Sequence, residues 1–539
     1  MNILDNPFAN PILLRDAQYQ SPEHFLILGL GESGYAMAKW CLRNGAQLSL
    51  ADTRERVNLS EQQKVWLSDL ESSGLQNVFL GSLNVALLEH IDVIGISPGL
   101  SPLHEPTQSF LAKAHELNVD IWGEIEFFAR AIAALDRMAQ VDQSVYKPAV
   151  LAITGTNGKT TTTALTGQLC ERAGKKVAVA GNISPAALNK LMACLDASDQ
   201  ISDLPEIWVL ELSSFQLIYT STFSATAAAI LNITQDHLDW HGDMQAYASA
   251  KANIFGSDTI CILNRDDSLV MNLLSQEQKA SKSIVTFGSN RPDEQGSFGI
   301  EHDLRAGGID WLVWAEIDED LEPQPKRRRK TVVVDEEPLR LKRLIPADAL
   351  RIRGRHNALN ALAALALARA AGLPMNVLLH GLRDYHGEPH RVQSIAIVAN
   401  VEYVNDSKGT NVGATVAALN GFSANESGKR IWLIAGGDGK GQDFSPLREP
   451  AFRFVKGAFL IGKDAPAIAT VLDGVVPCVM SQTLQNAVQE VAKKAQSGDI
   501  VLLSPSCASF DQFSDYIARA EVFIAEVEEL GMQFEGVHA

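Results

Sequence analysis

No apolar run in this 539-residue chain approaches the ~20 residues that a membrane-spanning helix requires. The longest candidates, such as ATAAAILNI (225–233), are far shorter. The opening stretch MNILDNPFANPILLRDAQYQ has no basic start followed by an apolar block, so it does not read as a secretory signal. Cysteine is scarce: Cys41, Cys170, Cys194, Cys261, Cys478 and Cys507 show no C-x-x-C spacing. A chain of this size builds its cores without cross-links, so these six read as reduced buried thiols. Basic residues are in deficit, with Lys+Arg 46 against Asp+Glu 64 and a net charge of −18. That balance argues against nucleic acid or a membrane surface as a partner. A small anionic substrate stays compatible, because a few local Arg and Lys can hold phosphate inside an acidic protein. The expectation is a soluble, cytoplasmic protein, a monomer, working on small molecules.

What is present is an α/β pattern. Hydrophobic residues make up 46% and charged residues 20%, ordinary for a folded chain, and the length fits three domains of ~100–200 residues. Short apolar strand-like runs alternate with helix-like stretches, as in domains built on parallel sheets. The pattern restarts with a glycine turn at FLILGLGESGYAMAKW, at AVLAITGTNGKTTTTAL, and again from IVANVEYVNDSK through RIWLIAGGDGKGQDF to DIVLLSPSCASFDQF. WGEIEFFARAIAAL, from Trp122, reads as a linking helix. Boundaries fall near Gly123 and Gly387, giving units 1–123, 124–387 and 388–539. Residues 286–350 fit worst; their acidic EIDEDLE (316–322) and basic KRRRK (326–330) read as a solvated loop between two strands.

The strongest motif is TGTNGKTT, Thr154 to Thr161. A strand delivers a turn of backbone N–H groups that opens a helix, whose N-terminus favours an anion. Gly155 and Gly158 clear space for phosphate oxygens, Thr156 and Asn157 complete the turn, Lys159 brings a charge, and Thr160 offers a hydroxyl to Mg²⁺. Position 153, where the usual P-loop has its first glycine, is Ile, so the match is to a shorter variant that binds ATP. GLGESG (29–34), with Asp52 closing the following strand, has the form of a dinucleotide turn, but a nucleotide-linked substrate fits it equally well. Glu211 ends the strand IWVLEL; Asp236, His237, Asp239 and His241 follow AAAILNI; Lys251 lies on a helix soon after. Glu211, at a strand end, is a hard oxygen ligand suited to Mg²⁺, and His237 shares its position past successive strands of the ATP unit. RGRHNALN (353–360), HGEPHR (386–391) and NDSKGTN (405–411) supply asparagines, an arginine, an acid and a lysine suited to adenine, ribose and phosphate. AGGDGKGQDF (435–444) offers Asp438 and Lys440 to a carboxylate.

Together GTNGKTTTT, GNI (181–183), ELSSFQL, LNITQDHLDWH, Lys251, GRHN, His390-Arg391, NDSKGTN, GGDGK and LSPSCASFDQF fall in the order of the Mur ligases, and the chain resembles that family over nearly its whole length. The resemblance implies three α/β domains: a Rossmann-like N-terminal one, a central P-loop ATPase-like parallel-sheet one, and a Rossmann-like C-terminal one. NDSKGTN with SPSCASFDQF resembles the branch that adds D-glutamate to UDP-N-acetylmuramoyl-L-alanine in peptidoglycan precursor synthesis. By resemblance, Ser33, Asp52, Thr53, Ser97, Gly99, Asn182 and His237 serve the UDP substrate. Gly155 to Thr161, Asn360, Arg391 and Asp406 serve ATP. Thr410, Lys440, Ser509 and Tyr516 serve D-glutamate, and Lys159, Glu211, His237, Lys251 and Lys408 are catalytic. The family's first Mg²⁺ matches Thr160 and Glu211; its second matches Glu211, His237 and a carbamylated lysine, here Lys251. Tyr516 stands where Phe is common, and the chain is longer than typical members around 286–350. A folylpolyglutamate synthetase-like ligase and a nicotinamide oxidoreductase are the competing readings.

Overall fold

The computed structural model describes residues 24–141, 145–304, 308–317, 339–422 and 430–537. Each glycine turn named above lies between a buried strand and a helix. β1 (His24–Leu28), β2 (Gln47–Asp52), β3 (Asn77–Leu80), β4 (Val93–Ile96) and β5 (Asp120–Trp122) form a wholly parallel sheet in the order β3-β2-β1-β4-β5. The order reverses beside β1, which puts the GLGESG turn at the crevice where such sheets bind ligands. Gly34 lets the following helix lie close to the strand end: a Cβ there would stand 1.9 Å from the carbonyl oxygen of Gly29. The linking helix Glu124–Val141 then leads to the second sheet.

That sheet comprises β6 (Ala149–Thr154), β7 (Val177–Gly181), β8 (Ile207–Glu211), β9 (Ala227–Ile230), β10 (Ile260–Asn264), β11 (Ile284–Phe287), β12 (Phe298–Asp303), β13 (Ile309–Ile317) and β14 (Leu339–Pro346). Its order is β14-β13-β12-β11-β10-β9-β6-β8-β7. The misfit region explains itself here: β12, β13 and β14 pair antiparallel and extend a parallel sheet. Lys342 pairs with Glu316 across β13 and β14 at 3.2 Å. KRRRK and the rest of the acidic stretch lie outside the described residues. Helix Arg355–Ala370 is apolar on every side over Ala361–Ala368 and correspondingly buried, packed on the sheet beside the P-loop helix Lys159–Arg172.

β15 (Gln393–Val398), β16 (Val401–Asn405), β17 (Ile431–Gly436), β18 (Val455–Ile461), β19 (Cys478–Gln482) and β20 (Ile500–Leu503) form the last sheet, in the order β15-β16-β20-β17-β18-β19. IVANVEYVN is a hairpin. Ala399 and Asn400 both have positive φ (50° and 59°), the two-residue turn that matches strand twist, so β15 runs antiparallel. Among the described residues no helix is long and apolar enough to cross a membrane.

Candidate active site

The P-loop is held from behind by the segment after β9. Asn232 accepts from the Asn157 N–H at 2.8 Å and donates to the Asn157 carbonyl at 3.0 Å. Thr156 Oγ1 donates to the Thr234 carbonyl at 3.1 Å and lies 3.2 Å from the Tyr247 hydroxyl. Asn232 was not singled out from the sequence, although its place directly after a strand beside the loop was a usable signal. Gly158 adopts φ 84°, and a Cβ there would stand 2.5 Å from Asn360 Oδ1, so only glycine fits against that asparagine. Asn360 is oriented in turn by Asn357, to which it donates at 3.1 Å.

Lys159 curls over its own loop, donating to the carbonyls of Gly155 and Thr156 at 2.8 Å each. Burial lowers its pKa, with Arg391 adding repulsion and Glu211 and Asp236 opposing the shift. Thr160 Oγ1 receives two cations from the last unit: Arg391 Nη2 at 2.8 Å and Lys408 Nζ at 3.3 Å. Lys408 also sits 5.3 Å from the centre of the Tyr516 ring, and burial pulls its pKa down to about 8. A second contact joins the same two units. Asn157 and Asn411 exchange side-chain amide bonds of 3.0 and 3.3 Å.

Glu211 comes off β8 beside this cradle. Its Oε1 accepts from Asn182 at 3.0 Å, whereas Oε2 is buried with no hydrogen-bond partner. Lys251, on the helix Met244–Ala252, is no surface lysine: it is 1% exposed. Its Nζ donates to the Gly155 carbonyl at 3.1 Å and to Thr154 Oγ1 at a long 3.4 Å. Burial, with Lys159 nearby, holds its pKa well below the ordinary lysine value. His237 packs its ring on Phe215 at 4.8 Å with Nε2 3.5 Å from Asp236 Oδ2, and burial lowers its pKa. The other two metal candidates do not join it. Asp239 is exposed, and His241 is turned inward with its Nε2 2.9 Å from Ser214 Oγ. Among the described residues no three His, Cys, Asp or Glu cluster as a metal site. A divalent ion here would have to draw on a hydroxyl, one carboxylate and one imidazole.

Two acids differ from their expected presentation. Asp52 accepts from the Leu30 N–H at 2.6 Å and from Arg54 through Nε (2.8 Å) and Nη2 (2.6 Å). A ribose diol would have to displace this fork, which removes the feature that favoured a nicotinamide cofactor. Arg54, unremarked in the sequence, is the half-exposed polar group of that turn. Ser97 is bonded to the Gly29 carbonyl at 2.8 Å; Ser33 and Thr53 are half-buried around the same crevice, and Gly99 has open space beside it. Asp406 faces the interior of its own unit, accepting from Ser504 Oγ at 2.7 Å and from the Val392 N–H at 3.3 Å, and burial raises its pKa to about 6. Around Lys408, the Thr410 N–H donates to the Lys408 carbonyl at 2.9 Å, while Tyr516 lies edge-on to His390 with centres 6.2 Å apart. Ser509 is buried under the turn to Phe513, and Lys440 is exposed with φ 51°, its N–H donating to Asp438 Oδ1 at 3.0 Å.

Comparison with known proteins supplies the lineage. Residues 23–123 match the Mur ligase MurD-like N-terminal domain, 153–368 the Mur ligase middle domain, and 390–507 the Mur ligase glutamate ligase domain. The UDP-N-acetylmuramoylalanine–D-glutamate ligase of Paraburkholderia phymatum is 55% identical over 94% of this chain and 96% of its own. The enzyme of that name from Ralstonia nicotianae is 56% identical over the same shares, and the one from Cupriavidus pinatubonensis is 54% identical over 96% and 98%. Among solved structures, MurF from Acinetobacter baumannii aligns with a TM-score of 0.55 at 16% identity, covering 93% of each chain. UDP-N-acetylmuramate-alanine ligase from Thermotoga maritima aligns at 0.52 and 17% identity, over 94% of this chain and all of that one. These two share the fold. With its domains matched in order and relatives more than half identical along almost its entire length, this chain belongs to the Mur ligase family.

Proposed function

We propose that this chain joins D-glutamate to UDP-N-acetylmuramoyl-L-alanine at the expense of ATP, releasing ADP and phosphate, as a cytoplasmic step of peptidoglycan precursor synthesis. The observation that carries the reading is the identity of 54–56%, along nearly full length, to enzymes bearing that name. The working unit is taken as a monomer with small-molecule partners and no nucleic acid or membrane. Residues 1–123 take the uridine end of the substrate, 124–387 take ATP, and 388–539 close on both and bind D-glutamate.

A carboxylate is a poor acyl donor, so it is first activated. An oxygen of the alanyl carboxylate attacks the γ-phosphorus and ADP leaves. The amine nitrogen of D-glutamate then attacks the acyl phosphate carbon, inorganic phosphate leaves, and the nitrogen gives up a proton. Both steps gather negative charge on oxygen, and the chain answers it with fixed donors. Lys159 releases its loop carbonyls for the β- and γ-phosphates. Arg391 and Lys408, already at Thr160, flank the phosphate being transferred. Phosphate beside Lys408 favours its charged form, against the burial that weakens it. Thr410, Lys440, Ser509 and Tyr516 receive the acceptor amino acid.

The residues fit two Mg²⁺ ions. The buried Glu211 Oε2 without a partner is an oxygen waiting for a cation, and burial keeps His237 in the neutral form that ligates. Thr160 and Glu211 would hold one ion; Glu211, His237 and a carbamate on Lys251 would hold the other. Bound there, Mg²⁺ supplies Lewis-acid stabilisation of phosphoryl and carboxylate oxygens. Burial favours the neutral Lys251 amine, whose nitrogen can add to CO₂ and lose a proton, exchanging a buried amine for anionic oxygen. The test mixes protein, ATP, Mg²⁺ and UDP-N-acetylmuramoyl-L-alanine with a panel of amino acids and follows phosphate and product mass. Product with D-glutamate is expected; turnover with L-glutamate and none with D-glutamate would overturn the assignment.

A further inference from the structure

Where the first and second units meet, two helices lie side by side, and the pins between them are specific. Helix Glu32–Arg43 follows the GLGESG turn, and helix Ala187–Asp196 follows the loop 181–186. Glu32 Oε1 accepts from Ser184 Oγ and from the Ala186 N–H, both at 3.1 Å. At the far ends Arg43 pairs with Asp196 at 2.6 Å. The helices therefore lie parallel, with both N-termini at the ligand end. The second helix has no cap of its own: Ala186 makes no side-chain bond, and its first N–H groups are met by Glu32 and, at Leu188, by Glu124 at 2.7 Å. The loop so held contains Asn182, whose backbone N–H donates to the Glu211 carbonyl at 2.7 Å and whose side chain donates to Glu211 Oε1.

We propose that Glu32 is a positioning residue: by fixing Ser184 and Ala186 it holds the Gly181–Ala186 loop so that Asn182 occupies Glu211 Oε1 and leaves Oε2 free for a cation, tying the substrate turn of one unit to the metal carboxylate of the next. The inference rests on the function proposed above. It asks nothing of Glu32 as a ligand. Groups that orient metal-binding carboxylates commonly alter metal affinity 10–100-fold when lost, and Glu32 acts one contact further out, so about 5- to 10-fold is expected.

The experiment compares Glu32→Ala, Glu32→Gln and Arg43→Ala in the full-length protein. Glu32→Ala should raise the Mg²⁺ concentration for half-maximal activity about 5- to 10-fold with KM for ATP little changed. It should also speed hydrogen exchange at Ala186 and in the loop before it, a readout that needs no metal and no turnover. Glu32→Gln keeps an acceptor oxygen and should restore most of both effects. Arg43→Ala breaks the other pin of the same helix pair and should leave both unchanged. Equal effects from Glu32→Ala and Arg43→Ala would mean that Glu32 only staples the units, and the proposal falls. Unchanged exchange and Mg²⁺ response in Glu32→Ala overturn it equally. If the wild-type protein fails with D-glutamate, the reading of its activity falls by itself; the exchange comparison still decides whether Glu32 holds the loop.

Discussion

The amide pair Asn157–Asn411 offers a direct measure of how the ATP loop and the last unit hold each other. Each residue has another duty. The Asn157 backbone is anchored by Asn232, and Asn411 Oδ1 caps the helix Val412–Gly421 by accepting from the Ala414 N–H at 2.9 Å. Asn411→Ala would confound the two roles, because losing a cap costs ~1 kcal/mol alone. Asn411→Ser keeps the cap and is too short to reach Asn157; Asn157→Ala removes the other side. Two neutral hydrogen bonds at ~0.5–1.5 kcal/mol each give a coupling of about 1–3 kcal/mol between the substitutions, a factor of about 5–150 in the closed population. The assay is a double-mutant cycle on closure, read by fluorescence transfer between labels on the second and last units, with KM for ATP in parallel. Each single variant should populate the open form more, and the double variant no more than the worse single. The melting temperature of Asn411→Ser should stay near wild type, reporting the cap intact. Strictly additive effects, with coupling below ~0.5 kcal/mol, would show that the pair forms without holding anything, and the reasoning would fail.

Lys159→Ala should lower kcat by at least about 10²- to 10³-fold, because developing phosphate charge loses a preorganised partner; near-normal turnover in a phosphate-release assay would remove the P-loop assignment. Lys251→Ala should lose most activity and recover part of it in millimolar short-chain carboxylates, and mass spectrometry at high bicarbonate should find the carbamate on the wild type; an unmodified, fully active Lys251 would contradict the proposed ligand. Asp406 sets a pH dependence whose sign follows from its raised pKa. The folded state takes up a proton near pH 6 that the unfolded chain binds only near its ordinary value of 3.8, so this group favours folding as pH falls through that window and the benefit fades as pH rises through about 6. Urea unfolding of wild type against Asp406→Asn should show a difference that grows toward low pH by up to about 2–3 kcal/mol, whereas parallel curves would mean that the carboxyl is not strained by burial.

Much of this site could be read from residues in line. A strand, a glycine turn and a helix are local events, so Gly155 to Thr161 and the ends of β1, β6 and β8 were legible from spacing and patterning. The same holds for the helix carrying Lys251, though its burial was not: isolated from the fold, AYASAKANIF presents a lysine as readily to water as to the Gly155 carbonyl. What escaped was decided by side-chain partners, most of them distant in sequence. Asp52 looks like a ribose acceptor until Arg54 and the Leu30 N–H are seen to fill it; Asp406 looks like an ATP-binding acid until Ser504 draws it inward. Arg391 and Lys408 converge on Thr160 across 231 and 248 residues, and Asn157 meets Asn411 across 254. Those contacts exist only because the second and last units meet at the P-loop, a property of the assembled chain that no window of sequence contains. The stretch at 286–350, which fits the α/β pattern worst, follows the same logic. β12 to β14 alternate charge with apolar residues because they extend a sheet edge facing water on one side, a pattern that parallel, doubly covered strands do not show.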